Sequence, residues 1–223
     1  MSPFGDLCVI LASINPCRHT EGEKVYISSR KQVLLMPSTN PAEEIELIKS
    51  VRADPAAFDQ LYQCYAPRVY RYLRTRMASD EDASDLTQQV FLKAFEALPR
   101  YQARGISFIA WLLRIAHNAL TDVYRRQHYA ISWDALPILF HPSTEGNPED
   151  VALQAESLGY LRQILDKLDA DKRNLLALRF AAGLSSSEIA QVTGRSQAAV
   201  KKQLARILAV IKEHYHELSS REN

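Results

Sequence analysis

The stretch from Phe108 to Arg126, FIAWLLRIAHNALTDVYRR, constrains the fold more than any other part of the chain. Trp111, Ile115, Ala119 and Val123 recur at helical spacing and form one apolar stripe, with Leu112 and Ala116 beside it. Arg114, Asn118, Asp122, Arg125 and Arg126 fall on the remaining surface. A helix with that much apolar back must pack against other helices. Its Arg and Asn face suits a nucleic acid.

The rest of the chain supplies such partners. Apolar stripes at helical period predict helices at about 41–52, 55–77, 81–98 and 107–128, which should form one bundle. Asn40-Pro41, Asp54-Pro55 and Asn147-Pro148 each set a capping side chain before a Pro at the first helical position. Gly105 can supply an unusual backbone angle in the connection before the last of these helices. Residues 129–148, with Pro137, Pro142, Gly146 and Pro148, read as a flexible linker that leaves the relative position of its neighbours open. Helical patterns resume at about 149–168, 171–182, 186–193 and 197–216. The expected architecture is therefore all-α: a helical domain at 37–128, a linker at 129–148, a second helical domain at 149–217 and a tail at 218–223.

Residues 1–36 follow no helical period. Val25–Ile27 and Val33–Leu35 read as short strands. Met36 stands where the composition changes, so two readings stand side by side: a native product that begins at Met36, or an N-terminal accessory arm. Intact mass of the protein made in its own host separates them.

The net charge of +1 hides a segregation. From Ser79 to Leu98 the acids Asp80, Glu81, Asp82, Asp85 and Glu96 face Lys93 alone, whereas Gly194 to Lys212 holds only cations. Segregated charge of this kind bears on partner choice. Cys8, Cys17 and Cys64 make no disulfide framework, and Cys17 with His19 is a poor metal pattern, so no metal or other cofactor is expected. The longest apolar run, Leu7 to Ile14, is too short to span a bilayer, which leaves the cytoplasm as the default compartment. Neither a phosphate-cradling glycine loop nor a nucleophile motif is visible, which argues against an enzyme.

A second nucleic-acid pattern follows. Ser185 and Glu188 fit a capping box, Thr193-Gly194 a tight turn, and Ser196 a second cap. The next helix would bury Val200, Leu204, Ile207, Leu208 and Ile211. Short helix, glycine turn and longer helix make a helix-turn-helix whose second helix enters the major groove by its N-terminal end. Gln197 can read a base edge there and Ala198 can touch a thymine methyl. Arg195, Ser196, Lys201, Lys202 and Arg206 complete the set, the cations gripping phosphates. The plain alternative is a helical hairpin with a solvated basic face.

In the first domain, the helix at about 81–98 is expected to bury Leu86, Val90, Phe95 and Leu98 and to offer Asp82, Asp85, Gln88, Gln89 and Lys93. An acidic and amide face repels phosphate but can dock on a basic protein; a solvated surface is the plain alternative. Arg100, Tyr101, Arg104, Phe108, Tyr124 and Tyr129 interleave rings and cations near the basic helix, a composition that suits single-stranded DNA. Trp111 reads as core, and Phe108 fits either role.

Together these residues resemble the sigma-70 family of RNA polymerase sigma factors, of the extracytoplasmic-function (ECF) type. Asp54–Phe58 with Leu61-Tyr62 resembles the opening of the sigma-2 domain. Asp82–Phe95 resembles the helix that binds the clamp coiled coil of the polymerase β′ subunit. Trp111–Arg126 resembles the helix that melts and reads the −10 promoter element, and the loop from about Arg100 to Ser107 the pocket for a flipped-out base. The C-terminal helix-turn-helix is similar to the sigma-4 domain, which reads the −35 element. The resemblance implies as partners core RNA polymerase, through the β′ clamp and β flap, and promoter DNA, duplex and melted. Family members are often held inactive by an anti-sigma protein, although no residue here specifies one. The chain carries Gln89 where the clamp helix usually has Glu, and Lys201-Lys202 where the recognition helix usually has Ser-Arg. A stand-alone helix-turn-helix regulator is the competing reading; it would bind duplex DNA without polymerase.

Overall fold

The computed structural model describes residues 41–102, 105–127 and 159–219. The readings of residues 1–36, of the linker, of the caps at Asn40 and Asn147, of Arg104 and Tyr129, and of the Arg126 side chain lie outside them. Helix α1 (Pro41–Ala53) leads to a 3-10 turn (Pro55–Ala57), α2 (Phe58–Arg74), α3 (Asp80–Ala97) and α4 (Phe108–Gln127). Then come α5 (helical over 159–166), α6 (Ala170–Leu176), a π-helical turn (Ala177–Ala181), α7 (Ser186–Thr193) and α8 (Gln197–Ser219). Among the described residues no strand occurs, and no helix is long and apolar enough to cross a membrane.

Local chemistry fixes the breaks. The Asp54 carboxylate accepts from the Ala56 N–H and divides the expected single helix over 55–77 into a 3-10 turn and α2. Ser79 caps α3, and Asp80, Glu81 and Asp82 in its first turn complement the helix dipole. The Arg74 guanidinium closes the α2–α3 corner by donating to the Asp80 carboxylate and to the Met77 carbonyl (3.1 Å). The expected helix over 171–182 begins one residue earlier and ends in the π turn, leaving the Ala182 and Gly183 carbonyls free to accept from a neighbouring element.

The first unit is a bundle in which α2 packs on α3 and α3 on α4. Leu61, Val69, Leu73, Val90, Leu112, Leu113, Ala116 and Leu120 form its interior. One correction concerns α3. Phe95 is 40% exposed, whereas Phe91, one turn earlier, is buried at 3%. The buried stripe runs Ala83, Leu86, Thr87, Val90, Phe91, Ala94 and Leu98, and Phe95 sits at its edge with its ring against Phe58 (4.9 Å).

The second unit does not stand apart. Helix α7 packs along α4, and the π turn packs on α2. The sequence left this relative position open; the structure closes the two units onto each other.

Candidate nucleic-acid and polymerase interfaces

Helix α4 turns Arg114, Asn118, Asp122 and Arg125 to solvent, and Arg100 is exposed just before it. Trp111 is half-buried rather than fully enclosed, tilted against Tyr101 (4.8 Å) and Phe108 (5.3 Å). Two residues expected at the DNA lie in the interior. Phe108 is fully buried and Tyr101 is 4% exposed, so neither ring is open to a base. Phe108 sits four residues before Leu112 and so shares the apolar back, where Tyr65 and Tyr101 meet it at 5.0 and 5.5 Å. Its N–H is capped by the Glu44 carboxylate at 2.9 Å, so α1 holds the start of α4. The Tyr101 hydroxyl donates to the Ile106 carbonyl (3.0 Å), and Arg52 donates to the Tyr101 carbonyl. Burial, with Glu44 adding and Arg52 opposing, pushes the Tyr101 phenol up to about 12. These contacts brace the turn leading to Gly105, whose φ of 71° requires the left-handed region.

The helix-turn-helix has the expected caps. Ser185 Oγ accepts from the Glu188 N–H (3.2 Å), and the Glu188 carboxylate accepts from the Ser185 N–H (2.8 Å). Gly194 closes α7 at φ 68°. Ser196 Oγ accepts from the Ala199 N–H (3.2 Å) and starts the recognition helix. Val200, Leu204, Ile207 and Ile211 are buried and Leu208 half-buried, which leaves Gln197, Ala198, Lys201, Lys202 and Arg206 exposed. Arg195, expected to grip phosphate, is engaged within the protein. Its guanidinium is held by the Asp171 carboxylate and by Gln203 (2.9 Å), which ties the turn to α6. Lys172, with no signal in the sequence pattern, joins Lys202 and Arg206 on the wall of a groove of about 400 Å³ beside the recognition helix.

Helix α3 exposes Asp85, Gln88, Gln89 and Lys93, with Asp82 half-buried. Leu92, 61% exposed, stands among them, close in sequence to the half-open Phe95. Sequence periodicity missed both as surface residues. Apolar side chains among acids and amides suit a protein partner, because DNA would meet both repulsion and unpaired apolar area.

Comparison with known proteins gives the family. Residues 61–129 match the model of sigma-70 region 2, and residues 158–211 match that of sigma-70 region 4. The chain is 32% identical over 178 residues to the ECF RNA polymerase sigma factor BldN of Streptomyces coelicolor, covering 76% of this chain and 67% of that protein. It is 32% identical over 169 residues to the ECF RNA polymerase sigma factor SigD of Mycobacterium tuberculosis, covering 74% and 80%. Among solved structures, CnrH in complex with the cytosolic domain of CnrY is similar with a TM-score of 0.53 and 25% identity, over 77% of this chain and 96% of that one. RpoE of Bartonella quintana, solved with the anti-sigma factor NepR, shares the fold with a TM-score of 0.54 at 21% identity, over 70% and 95%. The chain belongs to the sigma-70 family of RNA polymerase sigma factors and is an alternative sigma factor of the extracytoplasmic-function type.

Proposed function

We propose that this sigma factor divides promoter initiation among three surfaces. Asp82, Asp85, Gln88, Gln89 and Lys93 on α3, joined by Leu92, dock on core polymerase. Arg100, Arg114, Asn118, Asp122, Arg125 and Arg126, with Arg104, hold the melted −10 strand. Ser196, Gln197, Ala198, Lys201, Lys202 and Arg206 read the −35 duplex, and Arg195 positions the turn from which that helix starts. RNA synthesis belongs to the polymerase in this reading, and no residue here is assigned a catalytic role. An anti-sigma antagonist belongs to the same reading.

The observation that carries the proposal is the separation of surface types. The acid-and-amide face with an exposed Leu92 lies on α3, while Arg114 and Arg125 are exposed on α4 and Lys201, Lys202 and Arg206 on α8. The amide–cation face of α4 suits single strands, where cations track the backbone, and the solvated N-terminal turn of α8 suits a major groove.

Run-off transcription with core polymerase and host genomic DNA tests the whole. New start sites that need both proteins are expected; tight promoter binding by the chain alone would favour the stand-alone regulator instead. Asp85→Lys, at an exposed position, should weaken core binding while leaving the circular dichroism spectrum unchanged. Lys201→Ala with Lys202→Ala should flatten the salt dependence of −35 duplex binding by up to about 0.9 log units per lost phosphate contact. An unchanged slope would remove these lysines from the interface.

A further inference from the structure

The cations around the recognition helix fall into two groups. Lys201, Lys202 and Arg206 on α8 are exposed, and none of them has an ion pair among the described residues. Lys172 and Arg195 are each held by a carboxylate at the start of α6: Lys172 by Asp169 at 2.8 Å, and Arg195 by Asp171.

By position Arg195 belongs with the first group. It lies between Gly194, which closes α7, and Ser196, which caps α8, at the end of the helix that enters the major groove. Its guanidinium nevertheless turns back, to Asp171 and to Gln203 (2.9 Å) eight residues along the chain. The Arg195 side chain is 31% exposed, against 60% for that of Asp171.

The turn is closed without this ion pair. Gly194 supplies the left-handed φ, the Arg195 N–H donates to the Ala190 carbonyl (3.0 Å), and Ser196 Oγ accepts from the Ala199 N–H. Ile189 and Val200 anchor the two helices in the core. Helix α6 has its own cap, the Asp169 carboxylate accepting from the Lys172 N–H (2.8 Å). Asp171 stands outside both frames, so what it governs is where one positive charge sits.

Charge placement bears on discrimination. A phosphate contact strengthens binding to every duplex, because the backbone carries no sequence information. Non-specific sites vastly outnumber promoters, so affinity withheld from them frees the chain for the sequence that Gln197 and Ala198 would read.

We infer that Asp171 is a charge mask on the −35 surface: it draws the Arg195 guanidinium off the DNA phosphates, so that sequence-independent binding rests on Lys201, Lys202 and Arg206. The inference rests on the reading of α8 as a DNA-reading helix. Gln203 holds the guanidinium from the α8 side but carries no charge, so neutralisation falls to Asp171. Asp171 itself touches no DNA; it is a positioning residue that acts through Arg195.

The test is the full chain carrying Asp171→Asn, which keeps an acceptor oxygen beside Arg195 and removes the charge. Fluorescence anisotropy with a random-sequence duplex, between about 50 and 200 mM salt, reads affinity and its salt slope. The variant should bind more tightly, with a slope steeper by up to about 0.9, so that its gain at the low end exceeds that at the high end by up to roughly threefold. Asp171→Glu, which keeps the charge, should retain the wild-type slope. Adding Arg195→Gln to Asp171→Asn should cancel the gain, because the freed cation is then gone. An acid that only stabilised α6 would lower the melting temperature and leave the slope alone. An unchanged slope in the folded variant therefore overturns the mask, as does a gain that survives the loss of Arg195, or a variant that fails to bind the duplex even at low salt. Should Asp171→Asn fail to fold, Arg195→Gln alone decides: a masked cation predicts the wild-type slope, and a slope flattened by about 0.9 would place Arg195 on a phosphate already. Run-off transcription with core polymerase keeps the two readings apart. Absent start sites would remove the sigma-factor reading, while the salt slope of the free chain still decides the mask.

Discussion

Helix α4 has two packed sides, and they follow different rules. Toward the first bundle it offers Leu112, Leu113, Ala116 and Leu120, each at 1% exposure or less. On its other side the His117 ring meets the Tyr72 hydroxyl, which donates to Asn174 of the second unit, and Ser107 just before the helix donates to Glu188. The first contact is nondirectional, and its stabilisation grows with the area removed from water. The second adds to a continuous apolar core, which takes in Leu184, Ile189 and Val192, hydrogen bonds that each contribute only about 1 kcal/mol net. One helix thus packs on two units, on one side through apolar area and on the other through apolar area reinforced by directional bonds.

The largest expected effect breaks the side that packs on the bundle. Leu112→Ala removes a fully buried side chain, and the cavity and lost transfer energy together should cost about 2–5 kcal/mol. Urea denaturation should show the loss as a lower midpoint. A loss below about 1 kcal/mol would mean that this side chain contributes no more than one hydrogen bond of the other side, and the contrast between the two would fail.

A smaller effect should stay within the second unit. Gly194 has φ 68°, and a Cβ added there meets nothing within 4 Å. Gly194→Ala therefore costs backbone strain without a clash, about 1–2 kcal/mol. It should loosen the turn before the recognition helix and weaken −35 duplex binding, while the radius of gyration of the free chain stays as in wild type. An expanded free chain would show that the turn and the contact between the units are coupled.

These elements differ in how far the sequence foretells them. The Ser185 and Glu188 cap, Gly194 and the buried side of α8 are local patterns, and all stand where the spacing predicts. Phe95 fails because α3 can bury either of two phenylalanines one turn apart; a neighbouring helix, not the periodicity, chooses Phe91. Tyr101 and Phe108 fail for a related reason. Rings near cations suggest stacking on bases, but Phe108 continues the Leu112 stripe and carries Tyr101 inward with it. Arg195 pairs with an acid 24 residues away, which no helical spacing reveals. The contact between the units is least legible of all, since Tyr72 meets Asn174 across 102 positions through side chains that would look ordinary on any surface.

The smallest effect sharpens the other side through pH. His117 is held below the ordinary imidazole range, first by burial and then by the Arg76 charge; Asp171 opposes the shift and Arg195 adds to it. Tyr72 meets the ring directly, with Asn174 bonded to the same hydroxyl. Closure thus favours neutral His117, whereas an opened chain lets the ring return toward 6.5. Closure is fully favoured above that value and loses strength as pH falls below it, because protons bind the open form better. One pH unit below 6.5 the closed population can fall by at most about tenfold relative to the open one. Glu188 works against interference in this window. Burial alone would raise its carboxyl, but Ser107 and Ser185 hydrogen bonds together with the Arg68 charge hold it lower, so its bonds survive until pH falls through that lowered value. Scattering of the free chain between pH 7.5 and 5.5 should show expansion on acidification. His117→Gln, which keeps a polar partner for Tyr72 but cannot titrate, should abolish the pH response; a variant that still expands like wild type would assign the response to another group.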